Sequence, residues 1–275
     1  MKVEDCIVSV ERRSVGGCID LAFVFARHFI LPLCSLTLCF AVPSTLLAWM
    51  LGEAMRRDVL IPCMLIFAFS STMMGGAMIA IVGPQVFGVP MSTRSALRGL
   101  CSRIVPYALL ATLARCTGLC VFLPIPFVMA WCGHLPEAMF LERTPLSQIT
   151  QRLSWLGRGG GYSRNLGRWV TLMFFWALFS VGLFLLIDLL SGWVFNAPVF
   201  FGTIAPSPDL MRALAGRVID DPIVVVTLQV AMWLTYPIIR LAWFFCYLDQ
   251  RIRNECWDLD LQFRVEAVRL EEQPA

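Results

Sequence analysis

The sequence predicts an all-α membrane protein: a bundle of six transmembrane helices with short amphipathic helices at the membrane surface. Three observations predict it, namely the composition, a series of long uncharged segments, and the position of the arginines between them. Of the 275 residues, 58% are hydrophobic and only 15% are charged, whereas a soluble domain carries about 25% charged residues. The mean hydropathy is +0.73. This composition excludes disordered, fibrous and ordinary soluble proteins.

Four uncharged segments are long enough to cross a membrane, which takes about 20 apolar residues. They predict spans at about 29–51, 59–82, 169–190 and 222–246. We expect the second span to stop near Val82, because Gly83-Pro84 and Val89-Pro90 follow it and proline interrupts a helix.

The central segment 104–141 is harder to assign because Arg115 lies in its first half and Pro124 and Pro126 lie at its centre. The prolines predict a tight reversal between two shorter spans, 104–123 and 124–141. The other interpretation is one span followed by an interfacial helix.

The arginines favour six spans, because loops that face the cytoplasm carry an excess of basic residues. With six spans and a cytoplasmic N-terminus, few basic residues lie outside: Arg56, Arg57, Arg212 and Arg217. Five spans would place the basic C-terminal tail outside. We therefore predict a six-span membrane protein with both termini in the cytoplasm. Its parts are a cytosolic N-terminal segment, an integral membrane domain and a cytosolic tail, at 1–13, 14–248 and 249–275.

A short amphipathic stretch precedes each odd-numbered span, at 14–28, 92–103 and 144–155. One apolar face with basic flanks predicts a helix that lies in the headgroup plane. We expect the third to begin with Thr144 as hydroxyl cap and Pro145 at the first helical position. The unit of elbow helix plus membrane hairpin would then occur three times, although any hairpin protein with basic loops shows part of this pattern.

The most distinctive segment is 247–261, Tyr-Leu-Asp-Gln-Arg-Ile-Arg-Asn-Glu-Cys-Trp-Asp-Leu-Asp-Leu. It resembles the post-membrane signature D-x-R-x-R-x-E-G-aromatic-D-L of bacterial polytopic proteins that are similar to the membrane domain of some glycerophosphodiester phosphodiesterases. The matching residues are Asp249, Arg251, Arg253, Glu255, Trp257 and Asp258, and Cys256 stands where the family has glycine.

Two further segments resemble the same family: the opening around Ser14-Val15-Gly16 and Arg27-His28-Phe29, and the start of the fifth span at 164–167. The resemblance implies a multi-span inner-membrane protein with no established activity. It carries over no catalytic, cofactor-binding or metal-binding residue. The phosphodiesterase barrel itself would need about 250 residues, and no His-Arg-Gly start is present. An intramembrane enzyme is a third possibility, but it would need two convergent ionisable groups at one depth, which the predicted order of spans does not supply, so we predict that the protein is not an enzyme.

Arg115 is the sharpest candidate for function, because it lies about eleven residues into its span, roughly 17 Å along the helix axis. An ionisable residue at that depth is a functional hypothesis by default. One interpretation is a cavity that binds an anionic headgroup or substrate. The other is that Arg115 reaches the interface or binds backbone carbonyls. On topology alone, Asp188 is its nearest acidic partner.

Other polar features have a structural and a functional interpretation. The segment Gly157-Arg-Gly-Gly-Gly161 suits a phosphate cradle or a basic connector beside anionic lipid. The charges at 249–260 suit an ion-paired helix end or a docking surface. The small residues Gly75-Gly76-Ala77 suit close helix packing or a cavity lining.

Histidine and cysteine give no sign of a metal site. Of the two histidines, His28 lies at the lipid boundary and His134 lies three residues before Glu137, where a hydrogen-bonded span residue is the simpler interpretation. Most of the 11 cysteines lie in apolar segments, where a thiol is a small hydrophobe. An odd number without a C-x-x-C pair argues against disulfides or zinc.

The leading functional hypothesis is a non-enzymatic inner-membrane protein that acts as scaffold or accessory in a membrane or envelope process. Its expected partners are the bilayer, anionic lipid headgroups and a protein at the cytosolic tail. A net charge of +3 is too balanced to suggest nucleic acid. The alternative is a transporter or lipid-handling protein with a cavity around Arg115.

Overall fold

The computed structural model describes residues 12–55, 57–86, 93–101, 103–120, 125–201 and 209–255, without the side chains of 93, 95, 96, 115–120, 210, 211 and 213. These residues form helices and no strand. The α-helices are α1 (Val15–His28), α2 (Ile30–Met55), α3 (Leu60–Val86), α4 (Thr93–Cys101), α5 (Ile104–Cys120), α6 (Ile125–Cys132), α7 (Ile149–Leu156), α8 (Gly161–Phe195), α9 (Leu210–Asp220) and α10 (Pro222–Glu255). A π-helical turn (Glu137–Leu141) and a 3-10 turn (Leu146–Gln148) lie between α6 and α7.

Four helices of the described residues are long and apolar enough to cross a membrane: α2, α3, α8 and α10. They coincide with the four long uncharged segments, so an all-α membrane protein is confirmed. The central segment forms shorter apolar helices, 104–114 and 125–141. Whether these two also cross stays a prediction, and the expected reversal at 121–124 lies outside the described residues.

The expected end of the second span at Val82 is wrong for the helix, because α3 continues through Pro84 to Val86. A proline removes one backbone donor, and long apolar helices tolerate that loss. Pro43 and Pro237 likewise lie inside α2 and α10. Gly83 also has a packing role, since a Cβ there would collide with Leu141.

The three amphipathic stretches do form short helices. Ser14 caps α1, because its Oγ accepts a hydrogen bond from the backbone N–H of Gly17 at 3.2 Å. The third begins differently: the Thr144 hydroxyl lies 3.4 Å from Oε2 of Glu142 and does not cap a helix. The 3-10 turn comes first and α7 starts only at Ile149. The threefold repeat stays a prediction.

The chain folds into two compact units, the first made of 1–33, 75–172 and 238–275 and the second of 34–74 and 173–237. The second unit has an aromatic core in which the ring of Phe67 lies 5.1 Å from that of Trp233 and 5.9 Å from that of Trp176. Trp233 Nε1 donates to Ser44 Oγ at 2.8 Å. The indole polar group is thereby satisfied inside an apolar bundle.

In the first unit, the small residues of α3 serve close packing. A Cβ on Gly76 would lie 2.8 Å from Tyr107 Cε1 and 2.9 Å from Phe140 Cε2. We therefore expect Gly76→Ala to destabilise the protein by about 1–3 kcal/mol through overpacking, measured as a lower melting temperature in detergent. Gly182→Ala is the matched control, because nothing lies within 4 Å of its added methyl. Equal melting temperatures would contradict the packing role.

Candidate functional site

The ion-paired side chains of the first unit gather along α10 in three groups, centred on Asp249, on Glu142 with Glu255, and on Arg240. At 1.5 Å per residue, Asp249 lies about 13 Å beyond Arg240 along the helix. The i,i+4 spacing places Asp249 with Arg253 and Arg251 with Glu255, the pairs that a helix brings together on one face. Each group then recruits residues from other elements.

Asp249 is the centre of the first group and is only 2% exposed. Its Oδ1 accepts the backbone N–H of Arg13 at 2.7 Å. Its Oδ2 accepts from Arg168 and from Nε of Arg253, the latter at 2.8 Å. Arg168 Nη1 also donates to the carbonyl of Cys246 at 3.0 Å. The segment before α1, the first part of α8 and the last part of α10 are therefore joined through one carboxylate.

Glu142 is the centre of the second group. Nε and Nη2 of Arg152 donate to its two oxygens at 2.6 and 2.5 Å, which is the strong bidentate geometry. The hydroxyl of Tyr247 also donates to Glu142. Arg152 further donates to Glu255 at 2.6 Å, and Glu255 accepts from Arg251 at 2.7 Å. The π-turn, α7 and α10 are thus tied together.

These contacts favour one interpretation of the charged C-terminal cluster. In its described part, up to Glu255, Asp249, Arg251 and Arg253 are engaged in internal ion pairs, as expected for an ion-paired helix end. The remainder of the signature, with Trp257, lies outside the described residues.

Glu142 makes the second group dependent on pH. Burial acts to raise the pKa of Glu142, but hydrogen bonds from Arg152 and Tyr247 and the charges of Arg152 and Arg251 outweigh it, so the pKa is lowered. A lowered pKa in the folded state adds stability above the unfolded-state value of about 4.3. That stability is lost as the pH falls through the folded-state value.

We therefore expect Glu142→Gln to lower the melting temperature at pH 7, since it removes charge-assisted hydrogen bonds of about 1.5–3 kcal/mol each. The difference in melting temperature between the wild type and the variant should become smaller in acid, below a pH of about 4. Melting curves in detergent across pH measure it. A gap that stays constant with pH would contradict this role of Glu142.

The third group lies in apolar surroundings. Nη2 of Arg240 lies 2.8 Å from Oε1 of Glu137, and the two residues are 7% and 0% exposed. Arg240 follows the uncharged part of α10, and Glu137 begins the π-helical turn. A guanidinium keeps its proton, and a single charge inside an apolar bundle is costly. The ion pair therefore neutralises both groups.

His134 lies beside this pair. Its ring stacks on Trp243 with centroids 4.4 Å apart and planes 11° apart. Trp243 Nε1 donates to the carbonyl of Gly133 at 3.0 Å, and a Cβ on Gly133 would lie 2.9 Å from the indole. From α8, Asn165 Nδ2 donates to the carbonyl of Ala130 at 3.5 Å. The ring of His134 is thus positioned by packing against Trp243.

Arg115 lies in α5, and its side chain is outside the described part of the structure, so the cavity around it stays a prediction. Its expected partner Asp188 has other contacts. Oδ1 of Asp188 accepts the backbone N–H groups of Val199 and Phe200 at 2.8 and 2.7 Å, and Oδ2 accepts that of Phe201 at 3.1 Å. Asp188 therefore stabilises the turn after α8.

The glycine-rich segment makes the short connection between α7 and α8. Gly159 and Gly160 have φ of +60° and +77°, where glycine is favoured because it lacks a Cβ. A Cβ on Gly161 would lie 2.6 Å from Nε2 of Gln250. The structural interpretation, a connector, therefore accounts for these glycines.

The second histidine and the cysteines lie in apolar surroundings or at the surface. The exposed ring of His28 packs edge-on against Phe29 at 4.7 Å. Cys18, Cys63, Cys132 and Cys246 are buried, and Cys34, Cys39 and Cys101 are exposed. No group of three or more His, Cys, Asp or Glu that could hold a metal ion occurs within the described ranges.

Sequence reasoning missed Glu142 and Arg152 as partners and missed the Glu137–Arg240 pair. Only the pairs within α10 carry a sequence signal, the i,i+4 spacing of opposite charges. The other partners lie far apart along the chain, as Glu142 and Tyr247 do with a separation of 105 residues.

The helices and the buried ion pairs define the class of the protein: an all-α protein with four helices long and apolar enough to cross a membrane. Comparison with known proteins adds nothing to that class. No protein-family model, no curated protein and no solved structure matches the chain.

Proposed function

We propose that this protein is a non-enzymatic multi-pass protein of a bacterial inner membrane, with both termini in the cytoplasm, that acts as a scaffold or accessory in a membrane process. The observation that carries the proposal is the pair of ion-paired groups on Asp249 and Glu142. In these groups the charged side chains at the end of α10 pair with residues of other elements and hold those elements together. A scaffold needs such a fixed base for a segment that binds a partner.

The partner-binding segment would be the tail, which continues from Glu255. Affinity capture from mild detergent tests this with the double variant Trp257→Ala/Asp258→Ala, because Arg251 and Arg253 are part of the ion-paired base and their loss would disturb the fold. We expect a protein that is captured by the wild type and depleted at least tenfold from the variant. Arg212→Ala is the control, since that side chain is 88% exposed. Equal capture by all three chains would contradict a tail-bound partner.

Reporter fusions test the orientation. We expect tags inserted near Thr150 and fused at Ala275 to report the cytoplasm, because the basic segments favour that side. Periplasmic signals from both tags would contradict the six-span topology and the cytoplasmic tail together.

A second candidate is transport or lipid handling through a cavity around Arg115. It is favoured by the Glu137–Arg240 pair, because paired ionisable residues within apolar helices are typical of substrate or proton pathways. A strain that lacks the protein, complemented with Arg115→Ala or Arg115→Lys, tests it. Transport predicts loss of complementation by Arg115→Ala at normal abundance, with restoration by Arg115→Lys. Full complementation by Arg115→Ala would contradict it.

A further inference from the structure

Four buried polar side chains from three elements meet in the first unit. His134 and Glu137 come from the segment between α6 and the π-helical turn, Asn165 comes from α8 and Arg240 comes from α10. Arg240 contacts Glu137 at 2.8 Å. The charge of Arg240 acts on His134, and the side chain of Asn165 lies within reach of a hydrogen bond to His134. His134 and Glu137 are 1% and 0% exposed.

The polar atoms at this position are not satisfied by the described part of the chain. Among the described residues, both ring nitrogens of His134 and Oδ1 of Asn165 have no hydrogen-bond partner of normal geometry, and the oxygens of Glu137 have none beyond the ion-pair contact with Arg240. Buried polar groups are almost always hydrogen-bonded. Water satisfies such sites when several polar groups face one position. Because donors and acceptors are both present, water is the ligand that fits.

The acid–base chemistry then falls on Glu137. Arg240 cannot give up its proton, so it is a fixed positive charge. Burial favours the neutral carboxylic acid of Glu137, whereas Arg240 favours the carboxylate. A neutral imidazole has one donor and one acceptor nitrogen, so His134 can pass a proton between water molecules without becoming charged. The other charged or titratable groups that face this position are Arg168 on α8, Tyr247 on α10 and Glu142 after the π-turn.

The backbone supports a special role for the same residues. Glu137 begins the π-helical turn that ends at Leu141. Single π-helical turns are rare in proteins, and those that do occur are often found at functional sites. The irregular segment is also the one that carries His134, whose carbonyl accepts the N–H of Ala138 at 3.1 Å.

We propose that His134, Glu137, Asn165 and Arg240 form a buried, hydrated proton-binding site. Glu137 is the group that takes up the proton, Arg240 is the fixed counter-charge, and His134 and Asn165 hold the water that delivers it. In the step itself one proton moves from bulk water to a Glu137 carboxylate oxygen, and the site gains one positive charge. The site does not depend on the scaffold role proposed above.

Infrared difference spectroscopy of the full chain in phosphatidylcholine vesicles tests the proposal. We expect acidification to produce a protonated-carboxyl band that shifts in D2O and is present in the wild type but missing from Glu137→Gln, beside the bands of the other carboxyl groups, which both chains share. Glu53→Gln, which removes an exposed carboxylate of α2, should keep the Glu137 band. Identical acidification spectra of the wild type and Glu137→Gln would overturn the proposal. If Glu137→Gln does not fold, Glu137→Asp should shift the band, and an unshifted band would overturn it.

His134→Phe separates a proton relay from a packing role, because phenylalanine can keep the stack on Trp243 and removes both nitrogens. We expect the midpoint of the Glu137 band to move by about one pH unit and its exchange in D2O to slow by at least about tenfold. An unchanged midpoint and an unchanged exchange rate would overturn the part assigned to His134 and to water.

Discussion

Asp249→Ala should destabilise the protein by about 3–5 kcal/mol, because it leaves a buried guanidinium without its carboxylate. Arg168 is 7% exposed and, among the described residues, would keep the carbonyl of Cys246 as its one acceptor. The change also removes the acceptor for the backbone N–H of Arg13. Thermal unfolding in detergent, followed by circular dichroism, measures the effect. The double variant Arg168→Leu/Asp249→Leu should cost less than Asp249→Ala, since no charge is left buried.

The matched control is Arg212→Ala. It breaks an ion pair with Asp209 whose side chains are 88% and 70% exposed and 3.6 Å apart. Exposed pairs contribute at most about 1 kcal/mol, so the melting temperature should hardly change. Similar decreases in melting temperature for Asp249→Ala and Arg212→Ala would show that burial does not determine how much the Arg168–Asp249 pair contributes to stability.

Asp188→Ala should also have a large effect, of about 3 kcal/mol or more, because it removes three hydrogen bonds from backbone N–H groups to a charged acceptor. The carboxylate is 5% exposed, so water cannot easily replace it. We expect faster hydrogen exchange at Val199, Phe200 and Phe201, together with a lower melting temperature. Asp188→Asn keeps one side-chain oxygen as acceptor and should therefore lower the melting temperature less than Asp188→Ala.

Asp220→Ala is the control for this second prediction. Oδ1 of Asp220 accepts the backbone N–H of Asp58 at 2.9 Å, and this hydrogen bond is exposed to solvent. Its loss should leave the melting temperature nearly unchanged. If hydrogen exchange at 199–201 were the same in Asp188→Ala and wild type, Asp188 would not hold that turn.

Several features of the fold could be predicted from local sequence. The uncharged segments predicted the long helices α2, α3, α8 and α10, and Ser14 predicted the start of α1. Small residues on α3 predicted close packing at Gly76. The prediction at Thr144 failed, because Glu142 competes for its hydroxyl and no local rule shows where that carboxylate points.

The candidate site was much less predictable. Arg240 and Glu137 were each recognisable as charges in apolar segments, and His134 was visible at i,i+3 from Glu137. Nothing in their sequence spacing pairs Glu137 with Arg240, because the two residues lie on separate elements. Arg115 was a candidate only because of its predicted depth in the membrane, and that depth does not identify the residue with which it pairs.

Hydropathy, caps and i,i+4 spacing act within one or two helical turns, and the sequence by itself therefore determined the helical membrane class and the positions of the long helices. The tertiary structure decided which charges meet. Arg168 and Asp249 are 81 residues apart along the chain, and their pairing depends on how α8 and α10 pack. Burial then determines how much such a contact contributes to stability, because a charge removed from water needs a partner within the protein.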